Sequence, residues 1–584
     1  MIHGRRIAPG RTGRAHRTAV GGVALSLAGS WLLAGTLLTA ATPTQAAPQA
    51  DAALDSDTLI MTAEIALRRD DCGRASTDYV EAAQRLTDAK VAQRAATVAL
   101  DCGQYQSAEQ AAARWRQLQP RDAAPLRASM RAALGLYQID AARNAFEGWL
   151  RGNSGAIDQQ LQQVADESGV PATLAMVEGV HDRPLQTASG QLALADLAID
   201  GWNYRQALQY AQRALDDGAA RGSAQFLLAR AHAGLGEAEQ AVAAATAARQ
   251  AAPKEQSFAD ADVLLLLGRD SEARASIEST VSQNPSLRSQ AQRRLGLLAF
   301  DAGNYDEAQS DFQELLKDRD SAAVAVYYLS LIAERRDDMV TALRGYQLLS
   351  GTPLEANARM RAATLLMKHG HAREALQLLG TAPNATPAAH VQSEIAQAQV
   401  LSDGGHADQA LARIDDALAR APGHPDLLYQ RAIVLEKAGR TDAAIAQLDQ
   451  LNRARPQDGE IANALGFILA DHDKDLARAQ RLIAFALKGE PDNPAILDSM
   501  GWLDYRRGMA QAALPLLERA FRLDQDGDIG AHWGEVLWSV GQKARARDAW
   551  SRALLADPDN AAVKAAEKRA GAPQLLNPGA GTSV

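Results

Sequence analysis

Aromatic residues are scarce: Phe, Trp and Tyr make up 5% of the 584 residues, although the apolar share reaches 47% and alanine dominates it. A large enzyme core draws more heavily on Phe, Tyr, Val and Ile, whereas small apolar side chains suit helices packed backbone close to backbone. A basic surplus is missing as well. The net charge of −9 lacks the positive footprint that a general nucleic-acid binder needs. No G-x-x-x-x-G-K-[ST] phosphate loop, no H-E-x-x-H helix and no G-x-S-x-G elbow occurs. Length alone would allow three or four ordinary domains at about 150 residues each. Hydrophobic content and modest charge exclude wholesale disorder. The composition describes a helical interaction protein.

The first 46 residues read as an address rather than a fold. Residues 1–18 carry five arginines and no acid, Ala19 to Ala41 are apolar, and Thr44-Gln45-Ala46 supplies small residues for cleavage. That is the three-part layout of a secretory signal peptide cut after Ala46. An uncleaved anchor is the alternative, since about 20 apolar residues can span a bilayer. Gly21, Gly22, Gly29 and Gly35, with the cleavage signal, favour export. Arg5-Arg6 resembles a twin-arginine signal only weakly, because Pro9 interrupts the apolar residues such a signal needs next. Without residues 1–46 the chain has 538 residues, 56 basic and 70 acidic groups, and a net charge of −14. Such a field favours solubility and basic partner segments.

Cys72 and Cys102 are the only cysteines. A lipoprotein would carry one directly after the apolar stretch, but Leu33-Ala34-Gly35-Thr36 has threonine there. An oxidising compartment would let the two pair. Against pairing, they fall at non-equivalent positions of neighbouring repeats. Packed helices lie about 8–10 Å apart, and a disulfide asks for Cα atoms within about 4.4–6.8 Å. The sequence leaves both readings open.

One alanine column runs through the rest of the chain: Ala75, Ala108, Ala142, Ala175, Ala207, Ala241, Ala273, Ala308, Ala342, Ala375, Ala410, Ala444, Ala479, Ala513 and Ala546, at steps of 32 to 35 residues. Five residues earlier stands glycine at nine of these positions, from Gly103 to Gly541, with Trp202 and Lys474 among the departures. Twelve residues later stands proline at Pro120, Pro253, Pro285, Pro422, Pro456, Pro491 and Pro558. Glycine ends a first helix in the left-handed cap. Alanine opens a second helix where the two touch, and proline stops it. The Ala175 unit is irregular, with Pro171 in its turn.

A period near 34 with this punctuation resembles the tetratricopeptide repeat. The resemblance implies an all-α, right-handed solenoid, a superhelix of helix–turn–helix repeats with a concave groove. The expected layout is a signal peptide at 1–46, a linker at 47–55, degenerate repeats at 56–186, the repeat array at 187–560, a polar capping helix at 561–571 and a disordered tail at 572–584. In this family the first helix of each pair lines the groove at its second, fifth, ninth, twelfth and thirteenth unit positions. That rule points Tyr429, Asn463, Phe467, Asp498, Trp502, Tyr505, Arg506, Glu535 and Trp538 at a partner. Trp533 and Trp550 fall at packing positions. For Trp502, Tyr505 and Trp538, partner binding and superhelix packing are equally supported. No catalytic residue, cofactor or metal is expected. His369 and His371 read as an exposed turn pair. Asp524 to Asp528 with Glu535 only superficially resembles a calcium loop, because its glycine is misplaced.

Two stretches narrow the resemblance. Ala63-Glu64-Ile65-Ala66, Tyr79-Val80-Glu81-Ala82-Ala83, Arg94-Ala95-Ala96 and Trp115 form one; Leu497 to Trp502 and His532 to Trp538 form the other. Together they resemble periplasmic tetratricopeptide adaptors of Gram-negative bacteria. A member of that family is a lipoprotein that binds and activates a carboxyl-terminal processing protease and brings it peptidoglycan hydrolases. The resemblance implies periplasmic location, protein partners, no nucleic acid and, despite the missing lipid-carrying cysteine, room for peripheral membrane association. A non-enzymatic scaffold is the expectation. The alternative is an assembly or export factor for polysaccharide or outer-membrane proteins.

Overall fold

The computed structural model describes residues 54–152, 156–381 and 385–572. The chain divides into two units, Met1–Asp55 and Ser56–Val584. The signal peptide, most of the linker and the tail from residue 573 lie outside the described residues. Within these, no helix is long and apolar enough to cross a membrane.

Among the described residues the second unit is all helix. Fifteen antiparallel pairs run from Ser56–Arg68 with Cys72–Arg85 to Gly527–Ser539 with Lys543–Ala556, and a single helix, Ala561–Ala570, comes after them. We number the pairs as units 1 to 15. The alanine column explains the pairing. In fourteen units the column alanine is the fourth residue of the second helix and is 0% exposed. A methyl group there is as much as the interhelical gap can hold.

Unit 4 departs from the register. Its second helix, Val170–Val177, starts with Pro171 near its N-terminus, and Ala175 is its sixth residue and only half-buried. The fourth residue is Thr173, fully buried, whose hydroxyl donates to the Gly169 carbonyl at 2.8 Å. The column therefore passes through Thr173 here, because the short turn at Gly169 moves the helix start.

The turn glycines lie in the left-handed region, Gly103 to Gly541 at φ between 64° and 83°. The same turn keeps that conformation without glycine at Asp70 (φ 56°), Tyr137 (54°), Trp202 (55°) and Asp337 (59°). Left-handed backbone costs a side-chain-bearing residue about 1–2 kcal/mol. Lys474 is not the substitute in unit 13. Asp473 takes the left-handed position, and Asp475 caps the next helix by accepting from the Arg478 amide.

Cys72 and Cys102 are disulfide-bonded, with Cα atoms 5.4 Å apart. Helix spacing misled the contrary reading because neither residue sits mid-helix. Cys72 opens the second helix of unit 1 and Cys102 caps the first helix of unit 2, so helix ends rather than axes meet. Closing a loop over a sequence separation of 30 stabilises by about 3–4 kcal/mol in the chain-entropy view.

Turns of the early units also touch loops of the late ones, along a seam. His390 Nδ1 lies 2.9 Å from Asp70 Oδ1, and Gln104 donates to the Pro422 carbonyl at 3.0 Å. The Arg455 guanidinium donates to the Gly135 carbonyl and lies over the Tyr137 ring. The Asp492 amide donates to the Trp202 carbonyl at 3.1 Å, and the Tyr204 amide donates to the Asp492 carboxylate at 3.2 Å. Arg522 donates to the Ala233 and Gly234 carbonyls at 3.1 and 3.0 Å. Arg335 reaches the Ala556 carbonyl and Lys368 the Asp559 carboxylate.

The column makes a direct prediction. Ala444→Leu should lose about 1–3 kcal/mol by overpacking. Ala175→Leu, at a half-buried site, should lose less than about 1 kcal/mol. Urea titrations of both variants check the contrast.

Candidate protein-binding surface

First helices of neighbouring units pack on one another, as Pro494–Arg506 does on Gly459–Asp471 and Gly527–Ser539. Their inner faces are where a groove would be read. Much of the charge there is already used between units. Arg94 pairs with Glu64 at 3.0 Å, Arg230 with Asp196 at 2.8 Å, Arg294 with Asp262 at 2.6 Å and Lys437 with Asp403 at 2.5 Å. Each pair joins a first helix to the one before it, about one repeat away in sequence.

The C-terminal aromatic region is built the same way. His532 Nδ1 lies 2.9 and 3.0 Å from the two oxygens of buried Asp498. The imidazole stacks on Trp502, with centroids 4.2 Å apart and planes at 20°. Trp502 is 2% exposed and donates from its indole to Asp471 at 2.9 Å. Arg506 lies over the Trp502 ring and pairs with Asp473 and Asp471. Buried Glu535 accepts from Arg569 of the terminal helix at 2.7 Å.

Of the nine groove candidates, then, Asp498, Trp502 and Glu535 are buried, and Arg506 is paired within the chain. Tyr429, Asn463, Phe467, Tyr505 and Trp538 are half-buried. The Asn463 side-chain oxygen has no hydrogen-bond partner. The Phe467 ring lies 5.8 Å from His532, and Tyr505 5.3 Å from Trp502. Trp538 sits under Lys543 and Arg547, 5.1 and 5.6 Å from its ring, and 5.7 Å from Trp550. Trp550 and Trp533 are core, at 0% and 6% exposure.

Sequence reasoning overlooked His532, the residue that ties this region together. Its signal was available, since it stands one repeat period of 34 residues after Asp498. In the loop superficially like a calcium site, Asp526 is a helix cap that accepts from the Asp528 and Ile529 amides. Glu436, Asp471 and His472 gather within ligand distance of one another, but Asp471 is held by Trp502 and Arg506. His369 and His371 approach different acids, Asp337 and Glu374.

The geometry defines a class, a helical-repeat solenoid whose units offer an extended surface and no assembled catalytic group among the described residues. Family models described as Tetratricopeptide repeat match residues 401–466, and residues 192–255 and 293–353. Over those residues the chain carries tetratricopeptide repeats. A TPR repeat-containing protein of Pseudomonas aeruginosa is 35% identical over 213 residues, covering 36% of this chain and 36% of that protein. Cellulose synthase 2 operon protein C of Komagataeibacter xylinus is 36% identical over 185 residues, covering 31% of this chain and 14% of that protein. The chain thus matches little more than a third of the first relative's length and less of the second's. Among solved structures, a thermophilic TPR protein of Thermus thermophilus is 20% identical with a TM-score of 0.28, over 31% of this chain and 97% of that one. A tetratricopeptide repeat protein of Parabacteroides merdae is 15% identical with a TM-score of 0.31, over 43% and 99%.

The aromatic region is open to two tests. Burial pushes the His532 imidazole down, but the Asp498 carboxylate outweighs burial and holds it above its usual range. Burial also pushes the Asp498 carboxyl up, so the imidazolium's contribution is present below about pH 6.5 only while Asp498 stays ionised, and it is lost as pH rises through the raised His532 value. Thermal melts from pH 5 to 9 should show that loss in the parent and not in His532→Gln. Separately, Trp502→Ala should cost about 3–5 kcal/mol of stability as a core deletion. Trp538→Ala should leave far-UV circular dichroism unchanged and weaken partner binding by about 2 kcal/mol.

Proposed function

We propose that this chain is a non-enzymatic scaffold of the periplasm, and most concretely an adaptor. It would bind and activate a carboxyl-terminal processing protease and present substrates such as peptidoglycan hydrolases. Tetratricopeptide repeats mediate protein–protein interaction, so the partners are proteins. The observation that carries the scaffold reading is the run of fifteen helix pairs, which leaves no segment of ordinary globular size for an active site among the described residues. Holding two proteins on one long surface raises their local concentration by orders of magnitude without any catalytic residue. The half-buried Tyr429, Asn463, Phe467, Tyr505 and Trp538 supply the partner surface in this reading, with the acidic field of the chain aiding encounter. Periplasmic location is supported by the signal-peptide layout of residues 1–46 and by the Cys72–Cys102 bond, since disulfides persist in oxidising compartments. The adaptor identity rests on the N- and C-terminal sequence resemblance.

A second reading has its own support. Similarity to a cellulose synthase operon protein favours a factor for envelope assembly or polysaccharide export. Affinity purification from periplasmic extract separates the two. Recovery of a serine protease with its hydrolase substrates is the expected result. Recovery of export-machinery subunits instead assigns the chain to assembly, and turnover by the purified chain alone would overturn the scaffold reading altogether.

A further inference from the structure

Late-unit side chains on the seam satisfy carbonyls at the C-terminal ends of early helices: Arg455 on Gly135, the last residue of Ala124–Gly135, and Arg522 on Ala233 and Gly234, near the end of Arg221–Leu235. These carbonyls carry the negative end of the helix dipole, and although the Ala233 carbonyl also accepts from the capping Gly236 amide at 2.9 Å, a cation there is favoured. Closing the seam therefore draws on groups that water would satisfy equally well once it opened. Apolar contact crosses the seam as well, since buried residues of the first three units and those from Ala363 onward form one cluster, so opening costs that burial while each unit keeps the contacts within its own helix pair.

Backbone strain points the same way. Three of the five inter-helix turns that hold left-handed backbone without glycine are seam turns. Asp70 pairs there with His390, Tyr137 lies beneath Arg455, and Trp202 accepts from the Asp492 amide. At the first two, glycine would relieve the backbone but remove the contacting side chain. Strain held at positions that make a long-range contact marks a constraint imposed from outside the local fold.

We propose that the seam is a latch between successive turns of the superhelix. Closed, it limits passage between those turns to the inner first-helix faces. Open, it exposes those faces while every repeat stays folded. This goes beyond the scaffold reading and does not depend on any partner, because it can be measured on the full chain alone.

The test is hydrogen exchange with small-angle scattering on the full-length protein and on the Arg455→Ala/Arg522→Ala double variant. The seam amides of Tyr204 and Asp492 should exchange faster, by about tenfold or more for each lost charge-assisted bond. Amides inside the helices should keep their protection, and the maximum dimension should increase. High salt should shift the parent in the same direction, since the Debye length falls from about 10 Å to about 3 Å between 0.1 and 1 M. Asp70→Gly distinguishes the latch from plain structural support: it relieves the left-handed backbone and removes only the carboxylate that meets His390, so it should preserve or raise the protection of unit 1 while speeding exchange at the seam. Unchanged exchange at Tyr204 and Asp492 in the double variant would overturn the proposal. So would loss of helix-interior protection in step with the seam, which would make the seam part of each unit's fold.

Discussion

Two helices of a pair can approach only as closely as their largest facing side chain allows, and here that side chain is a methyl group at the same place in fourteen of fifteen units. Close approach fixes the angle and spacing of each pair. It also lets a 32-to-35-residue unit repeat without accumulating misfit, so the superhelix, its inner surface and its seam all inherit this geometry. Unit 4 shows how strictly the spacing is kept. Its helix start moves, and a buried threonine of similar width takes the contact while satisfying its hydroxyl on the preceding turn.

Stacking creates a second layer of order on the inner faces. Residues one repeat apart on successive first helices meet, so the sequence period becomes a spatial ladder of ion pairs. At the C-terminal end this ladder acquires aromatic packing: His532 is charge-paired to Asp498 and stacked on Trp502, and the terminal helix completes it through Arg569 to Glu535. A solenoid end has no next unit to cover it. These buried pairs with Val563 and Ala566 of the last helix supply that cover.

Contacts across the seam belong to a third layer, in which hydrogen bonds and charged side chains accompany a narrower apolar contact than the one inside each unit. That difference in chemistry separates the layers energetically. Apolar burial holds each unit and its neighbour together. The seam balances exchangeable polar contacts against water and against left-handed backbone at Asp70, Tyr137 and Trp202. The disulfide lies at its N-terminal end, joining the helix start at Gly73 to the turn at Gly103, where Pro422 and His424 pack.

Sequence periodicity by itself determined the fold class, the number of helix pairs and the burial of the alanine column, because each unit's core is local and repeats in register. The packing roles of Trp533 and Trp550 were legible for the same reason. What the tertiary structure decided involves pairs whose meeting no local rule encodes. Cys72 bonds Cys102 because two helix ends converge where axis spacing would keep mid-helix residues apart. Trp502 is packed rather than presented because His532, one unit later, rotates onto it. The seam joins residues some 190 to 320 positions apart, so it depends on superhelical pitch summed over many units. Small interhelix rotations set that pitch. They accumulate along the chain and leave no residue-level mark until the turns meet.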